Sequence, residues 1–257
     1  MEKRIVIKVG SNVLTRKEGK LDVTRMSAIV DQIAWLRQHG YEVILVSSGA
    51  VACGRRELTV DHSLDSVEQR QLFSAVGQVK LVGLYYDLFR EFGIHVGQVL
   101  TMKENFEPGE QFRNQRACMK VMLENDVLPI VNENDTVSVT ELMFTDNDEL
   151  SGLIARMMEA DTLILLSNID GIFNTHPDDP DAELIRIVEP GRDLSEYIQP
   201  EKSAFGRGGM HSKYTTAQKV QQAGIRVIIA NGERENILVD LIENKGQTPH
   251  TEFLPCN

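Results

Sequence analysis

The chain has 257 residues, 42% of them hydrophobic and 25% charged, a globular composition that argues against intrinsic disorder and against collagen-like or coiled-coil architectures. That length suits one large domain, or one domain built as two lobes, and buries a core without disulfide staples. Twenty-seven Lys and Arg against 38 Asp and Glu leave a net charge of −11, which disfavours general nucleic-acid and anionic-membrane binders, whose contact faces are basic.

RIVIKVG, residues 4–10, is a short β-branched run ending in glycine and predicts a buried strand. Residues 24–38 follow a helical period, with Met26, Ile29, Val30, Ile33 and Leu36 on one face and Gly40 as the stop. EVILVSSGA, residues 42–50, predicts a second buried strand ending in small residues. The alternation then recurs: helix 67–92 and strand 95–100, helix 114–124 and strand 127–132, helix 147–159 and strand 162–167. Residues 173–205, rich in Pro, Asp and Glu, predict a hairpin or irregular excursion. A helix over 210–223, a strand over 226–230 and a last helix from about 234 to 244 complete the chain. Nearly all-apolar strands alternating with amphipathic helices predict an α/β fold, a mostly parallel sheet covered on both faces. No repeat or linker divides it.

Targeting signals are not apparent. Lys8 interrupts the first apolar run too early for a signal-peptide core, and no stretch approaches the roughly 18 apolar residues of a membrane span. The three cysteines, Cys53, Cys118 and Cys256, have no zinc-type spacing and read as reduced thiols. The expectation is a soluble, cytoplasmic protein.

In such folds ligands bind beyond the carboxyl ends of the strands, where this sequence places Gly10-Ser11-Asn12, Ser47-Ser48-Gly49, Asn132 to Asp135, Ser167-Asn168 and Asn231-Gly232. Four segments there carry chemistry. In KVGSNVL, residues 8–14, Lys8 either meets an anion beside Gly10 or lies on an exposed edge strand; spacing leaves both readings open. In FGRGGMHSK, residues 205–213, Gly206, Gly208 and Gly209 lead into a helix start that could cradle an anion with Lys213 as a point charge, or form a surface loop. It is neither a P-loop nor a dinucleotide fingerprint. PIVNENDTV and FTDNDELSG, residues 129–137 and 144–152, gather carboxylates and amides that suit binding of an ammonium, a lysine or hydrated Mg²⁺, although Asp146, Asn147 and Asp148 are equally good helix caps. VSSGAVACG, residues 46–54, makes a small anion site; without GxSxG or a placed histidine it does not suggest a hydrolase, and His39 and His62 read as surface residues.

These segments, together with AVGQ at 75–78 and ADTLILLSNIDGIF at 160–173, resemble in order the motifs of the amino acid kinase family over nearly the whole chain. PIVNENDTV is the most specific and looks like the members that phosphorylate the side-chain carboxylate of glutamate, the opening step of proline synthesis. Two positions depart from the family pattern: Thr145 precedes Asp146 where glycine is usual, and Ser167-Asn168 stands where Thr-Asp is usual. Longer members carry a C-terminal RNA-type PUA domain, and the chain is expected to be a short form without it.

The resemblance implies a single three-layer αβα domain over 1–257, with residues 1 to about 160 binding glutamate and 161–257 binding nucleotide. Lys8 and Lys213 would bind the ATP phosphates, with Asp148 holding both lysines. Ser48, Asp135 and Asn147 would bind glutamate; selectivity needs a partner for its ammonium, for which Asp135 is the candidate, and for its α-carboxylate, for which Ser48, backbone N–H groups and Asn147 are candidates. Ser167, Asn168, Arg207, Gly208, Gly209, Met210, His211, Ser212 and Lys213 would line the nucleotide site. ATP and Mg²⁺ are implied as cofactors, without dedicated metal ligands. Proline is implied as feedback inhibitor, a reductase as consumer of the product, and a dimer or tetramer as the assembly. The chemistry suits these residues. A side-chain carboxylate with a pKa of about 4.3 is already an anion and needs no base, so catalysis rests on positioning and fixed positive charge. Aspartate, acetylglutamate, carbamate and uridylate kinases are alternatives within the fold, and a non-catalytic amino-acid sensor is the alternative outside enzymology.

Overall fold

In the computed structural model the described residues are 3–16, 18–138, 144, 146–198, 209–243 and 246–256. Thr145, Arg207, Gly208 and residue 244, the end of the expected last helix, lie outside them, as do 199–205 of the expected irregular stretch.

The strands are β1 (Lys3–Val9), β2 (Tyr41–Ser47), β3 (His95–Thr101), β4 (Val127–Glu133), β5 (Thr162–Ser167), β6 (Ile187–Val188), β7 (Arg226–Asn231) and β8 (His250–Phe253). The helices are α1 (Ser11–Leu14), α2 (Val23–Gln38), α3 (Ala50–Glu57), α4 (Ser66–Arg90), α5 (Glu110–Glu124), α6 (Asn147–Met157), α7 (Met210–Gln222) and α8 (Ile237–Ile242). The strands form one sheet in the order β3-β4-β2-β1-β5-β7-β8-β6. The β7–β8 pairing is antiparallel and the others are parallel.

The strands read as unbroken apolar runs because both faces are covered. Ile5, Ile7 and Val9 of β1 point to the layer holding α2, α4 and α8, together with Val43, Leu45, Ile164 and Leu166. Val6 points to the opposite layer, where Ile44, Val46, Leu163 and Leu165 meet Ile154 of α6 and Ala217 and Val220 of α7. This two-residue alternation is the strand period itself. Each fully buried aliphatic side chain contributes roughly 1.5–3 kcal/mol. The result is the expected three-layer αβα sandwich.

The register removes the edge-strand reading of Lys8. β1 lies between β2 and β5, with Lys8 opposite Val46 and Leu165. Lys8 is therefore in a central strand, not on an edge, and by alternation it shares the face of Val6, where α6 and α7 pack.

Local structure departs from expectation in several places. The strand expected over 42–50 stops at Ser47, because Gly49 adopts φ +109° and starts α3 at Ala50. α4 matches the expected long helix and opens on a reciprocal capping box between Asp65 and Glu68. α5 begins at Glu110, ahead of the expected 114, and α8 ends at Ile242, short of the expected 244. α1 and β8 were not anticipated; β8 pairs with β7 through non-local hydrogen bonds. The irregular stretch contains a bridge between Phe173 and Leu184 and the short strand β6.

α3 and α4 touch backbone to backbone. A Cβ on Gly54 would lie 1.8 Å from the Phe73 carbonyl oxygen, and one on Gly77 would lie 1.8 Å from that of Ala50. Only glycine permits this approach. It seats the middle of α4 against the end of β2, where Ser47 Oγ and Tyr85 Oη lie 2.9 Å apart. Among the described residues no helix is long and apolar enough to cross a membrane.

Candidate active site

The carboxyl ends of β1, β2, β4 and β5 open onto a cleft of about 690 Å³. Lys8, Ser48, Asp135, Asn147, Asp148, Ser167, Asn168 and Lys213, all expected site residues, line it.

At its floor one carboxylate joins two ammonium groups. Lys8 Nζ lies 2.6 Å from Asp148 Oδ1, and Lys213 Nζ donates to Asp148 Oδ2 at 3.0 Å. Asp148 has no exposed surface, and Lys8 and Lys213 are 5% and 7% exposed. Burying three charges is costly. Here one carboxylate faces two cations, and the charge of Asp146 also bears on Lys8. Two ammonium groups brought to one cleft floor suit the binding of an anion. Gly10 keeps the approach open, since a Cβ there would sit 3.1 Å from Lys8 Nζ.

Burial pushes the Asp148 carboxyl up, but the charges and hydrogen bonds of the two lysines outweigh it and hold the group below the ordinary carboxylate range. Burial lowers Lys8 below the ordinary lysine range, and the charge of Lys213 adds to this against the opposing pull of Asp148.

Capping and binding divide the DND segment between them. Asp146 Oδ1 accepts from the N–H groups of Asp148 and Glu149 at 2.8 and 3.1 Å, capping α6. Asn147 and Asp148, in the first turn, are left to face the cleft.

A network of amides supports the other wall. Asn147 Nδ2 donates to Ser48 Oγ (2.9 Å), Asn132 Oδ1 (3.0 Å) and more weakly to the Ser47 carbonyl (3.3 Å). Asn132 Nδ2 donates in turn to Gln78 Oε1 at 3.0 Å. Asp135 is buried and accepts on Oδ1 from Arg70 Nε at 2.6 Å, while Arg70 Nη2 reaches Glu133 Oε2 at 2.6 Å. Glu133 Oε1 accepts from Ser138 Oγ and the Phe144 N–H, both at 3.0 Å.

Sequence reasoning missed Arg70 and did not single out Gln78 as a site residue. The signal for Arg70 was indirect: two carboxylates at a buried strand end require a cation. It comes from α4, a helix distant in sequence from both.

On the other side Ser167 is buried and Asn168 exposed. Gly209 precedes α7, and Met210, His211 and Ser212 form its first turn. Met210 packs against the core, His211 is exposed, and Lys213 reaches the cleft floor.

Among the described residues no group of three His, Cys, Asp or Glu side chains gathers as a metal cage. Asp146 Oδ2, in the cleft wall, is buried without a hydrogen-bond partner among the described residues. Such a donor set fits Mg²⁺, which keeps its waters and binds chiefly through substrate phosphates.

A mostly parallel αβα sandwich with this charge arrangement at its strand ends is a frame for phosphoryl transfer, and residues 3–231 match the amino acid kinase family. The chain belongs to that family. It is 65% identical over 252 residues to glutamate 5-kinase of Bacteroides thetaiotaomicron, covering 98% of this chain and 70% of that protein. It is 48% identical over 237 residues to glutamate 5-kinase of Chlorobaculum tepidum, covering 92% of this chain and 65% of that protein. In fold it is similar to carbamate kinase from Giardia lamblia bound to AMP-PNP, with a TM-score of 0.72 at 17% identity over 99% of each chain.

Proposed function

We infer that this chain transfers the γ-phosphoryl group of ATP to the side-chain carboxylate of glutamate, giving glutamyl 5-phosphate. The carrying observation is the Lys8–Asp148–Lys213 bridge at the cleft floor; the identity to the two glutamate 5-kinases supports the choice of acceptor.

The reaction brings an anion to a polyanion, so its barrier is electrostatic. Lys8 and Lys213 bind the phosphates and neutralise charge on the transferring group. Asp148 holds both ammonium groups in place and removes no proton, because the acceptor is ionised already. Their low exposure keeps water from screening these charges. Mg²⁺ carried by the phosphates would add positive charge, with the Asp146 carboxylate as the protein group placed to hold one of its waters.

Ser48, Asp135 and Asn147 bind glutamate, with Asp135 taking the ammonium. Ser167, Asn168 and Lys213, which line the cleft, serve the nucleotide, and the family resemblance adds the rest of the run from Arg207 to Ser212 to that role. Residues 1 to about 160 form the amino-acid lobe and 161–257 the nucleotide lobe. The acyl phosphate product hydrolyses readily and suits immediate reduction by a second cytoplasmic enzyme. Proline as competitor at the glutamate site and a homodimer or homotetramer complete the reading.

The test is direct. Protein, MgATP and glutamate are incubated with hydroxylamine, with aspartate and acetylglutamate in parallel. Hydroxamate from glutamate alone is expected; none from glutamate, or more from either alternative, rejects the reading.

A further inference from the structure

We propose that Gln78 is a positioning residue for amino-acid recognition, locking a relay of side-chain amides that presents Ser48 as a donor and Asn147 as an acceptor to the substrate. This rests on the proposed function and goes beyond it, since Gln78 lies on α4, behind the groups that touch the ligand.

The relay has one fixed end. The backbone N–H of Glu133 can only donate, and it donates to Asn132 at 2.9 Å. The Asn132 atom there must therefore be Oδ1, which settles an amide orientation that geometry alone leaves two-fold. Asn132 Nδ2 then faces Gln78, 3.0 Å away, so Gln78 must offer Oε1. At the other end Asn132 Oδ1 and the Ser47 carbonyl can only accept, so Asn147 must turn its Nδ2 towards them.

This chain of constraints decides what a ligand meets. Both amide hydrogens of Asn147 are taken up by Asn132, Ser48 and Ser47. Its remaining polar atom is Oδ1, which accepts and suits an ammonium. Ser48 Oγ already accepts from Asn147, so its own hydrogen is available to a carboxylate. The α-carboxylate expected at Asn147 from sequence thus belongs at Ser48, and Asn147 joins Asp135 on the ammonium side.

A second observation singles out Gln78. Its Nε2 is buried with no hydrogen-bond partner among the described residues. An amide that leaves one buried donor unsatisfied does not optimise stability there; its value lies in the acceptor turned to Asn132. Without that acceptor, Asn132 keeps the Glu133 N–H on Oδ1 but loses the anchor of its Nδ2, and with it the restraint on the plane of the amide that Asn147 meets.

The experiment compares wild type, Gln78→Met and Gln78→Glu in the hydroxamate assay, with melting temperatures. Methionine keeps the volume and removes the acceptor. Glutamate keeps a carbonyl-type acceptor whether or not it is ionised. Expected for Gln78→Met is a glutamate KM raised about tenfold or more, with the ATP KM within about twofold. Its Tm should stay within about 4 °C, because one unpaired donor replaces another. Gln78→Glu should bring the glutamate KM back to within about threefold of wild type. A Gln78→Met glutamate KM near wild type, equal rises in both KM values, or a Gln78→Glu variant as impaired as Gln78→Met would overturn the proposal. If Gln78→Met does not fold, Gln78→Glu decides alone by the same threefold criterion. A wild-type chain that forms no hydroxamate removes the proposal together with the reading beneath it, whereas an active wild type with an indifferent Gln78→Met removes the proposal only.

Discussion

Lys8 Nζ lies 2.6 Å from Asp148 Oδ1, a contact between a central strand and the first turn of a helix packed on its face. Lys213 takes the other oxygen of the same carboxylate at 3.0 Å. Each lysine thereby offers its remaining N–H groups to one cleft. Loss of one such electrostatic contact typically costs about 3–4 kcal/mol, or 10²–10³ in rate. Lys8→Ala and Lys213→Ala should each lose turnover on that scale while still binding glutamate. Near-normal turnover in either variant, measured as hydroxamate per unit time, takes that lysine out of the mechanism.

Asp148→Asn tests the bridge from its centre. It leaves two buried ammonium groups without the carboxylate that bridges them, and only the more weakly felt charge of Asp146 bears on Lys8. Removing one partner of a buried ion pair costs roughly 3–5 kcal/mol, so both Tm and turnover should fall. Unchanged thermal melts would mean that water replaces the carboxylate.

Asp135 can be removed with less structural damage, because Arg70 retains Glu133 as a partner. Asp135→Ala should raise the glutamate KM about tenfold or more, the scale of one charge-assisted hydrogen bond, and leave the ATP KM almost unchanged. Equal shifts in the two constants would refute its assignment to the ammonium.

The pH dependence follows from the direction of two shifts. Only protonated Lys8 attracts phosphate, and its pKa is lowered by burial and then by Lys213. The alkaline limb of kcat/KM for ATP, which reports the free enzyme, should therefore fall below the ordinary lysine value of about 10.4. For Asp148 the folded-state pKa is depressed, so its stabilisation is fully present above the unfolded value of about 3.9 and is lost as pH falls through the folded value. The stability gap between wild type and Asp148→Asn should accordingly shrink only below about pH 4. A gap already closing near neutrality in urea melts would contradict the depressed value.

Gly77→Ala should be among the costliest single-methyl additions in the chain. Its Cβ would lie 1.8 Å from the Ala50 carbonyl oxygen, a backbone atom that cannot rotate away. Overpacking of this kind costs about 3 kcal/mol. The α3–α4 crossing should open, with Tm and glutamate affinity falling together because Gln78 is the next residue. A stable variant would show that the two helices separate freely.

Much of the fold was legible because its signals are local. The face of α2 formed by Met26, Ile29, Val30, Ile33 and Leu36 is buried throughout. The apolar runs of β1, β2, β4, β5 and β7 reflect coverage on both faces. α3 was lost because residues 50–57 are short and carry no clear helical period, and only the positive φ of Gly49 marks its start.

By itself the sequence determined the alternation of strands and helices, the polar strand ends, and the residue types a phosphoryl-transfer site needs, since periodicity and side-chain chemistry are properties of neighbouring residues. Tertiary structure alone decided that Lys8 lies in a central strand, that Lys213 meets it on Asp148, that Arg70 serves Asp135, and that Asn147 donates to Asn132 and Ser48. Each of these depends on which strand pairs with which and on where two helices cross. Such pairings arise from the burial of the whole core, and no short stretch of chain contains them.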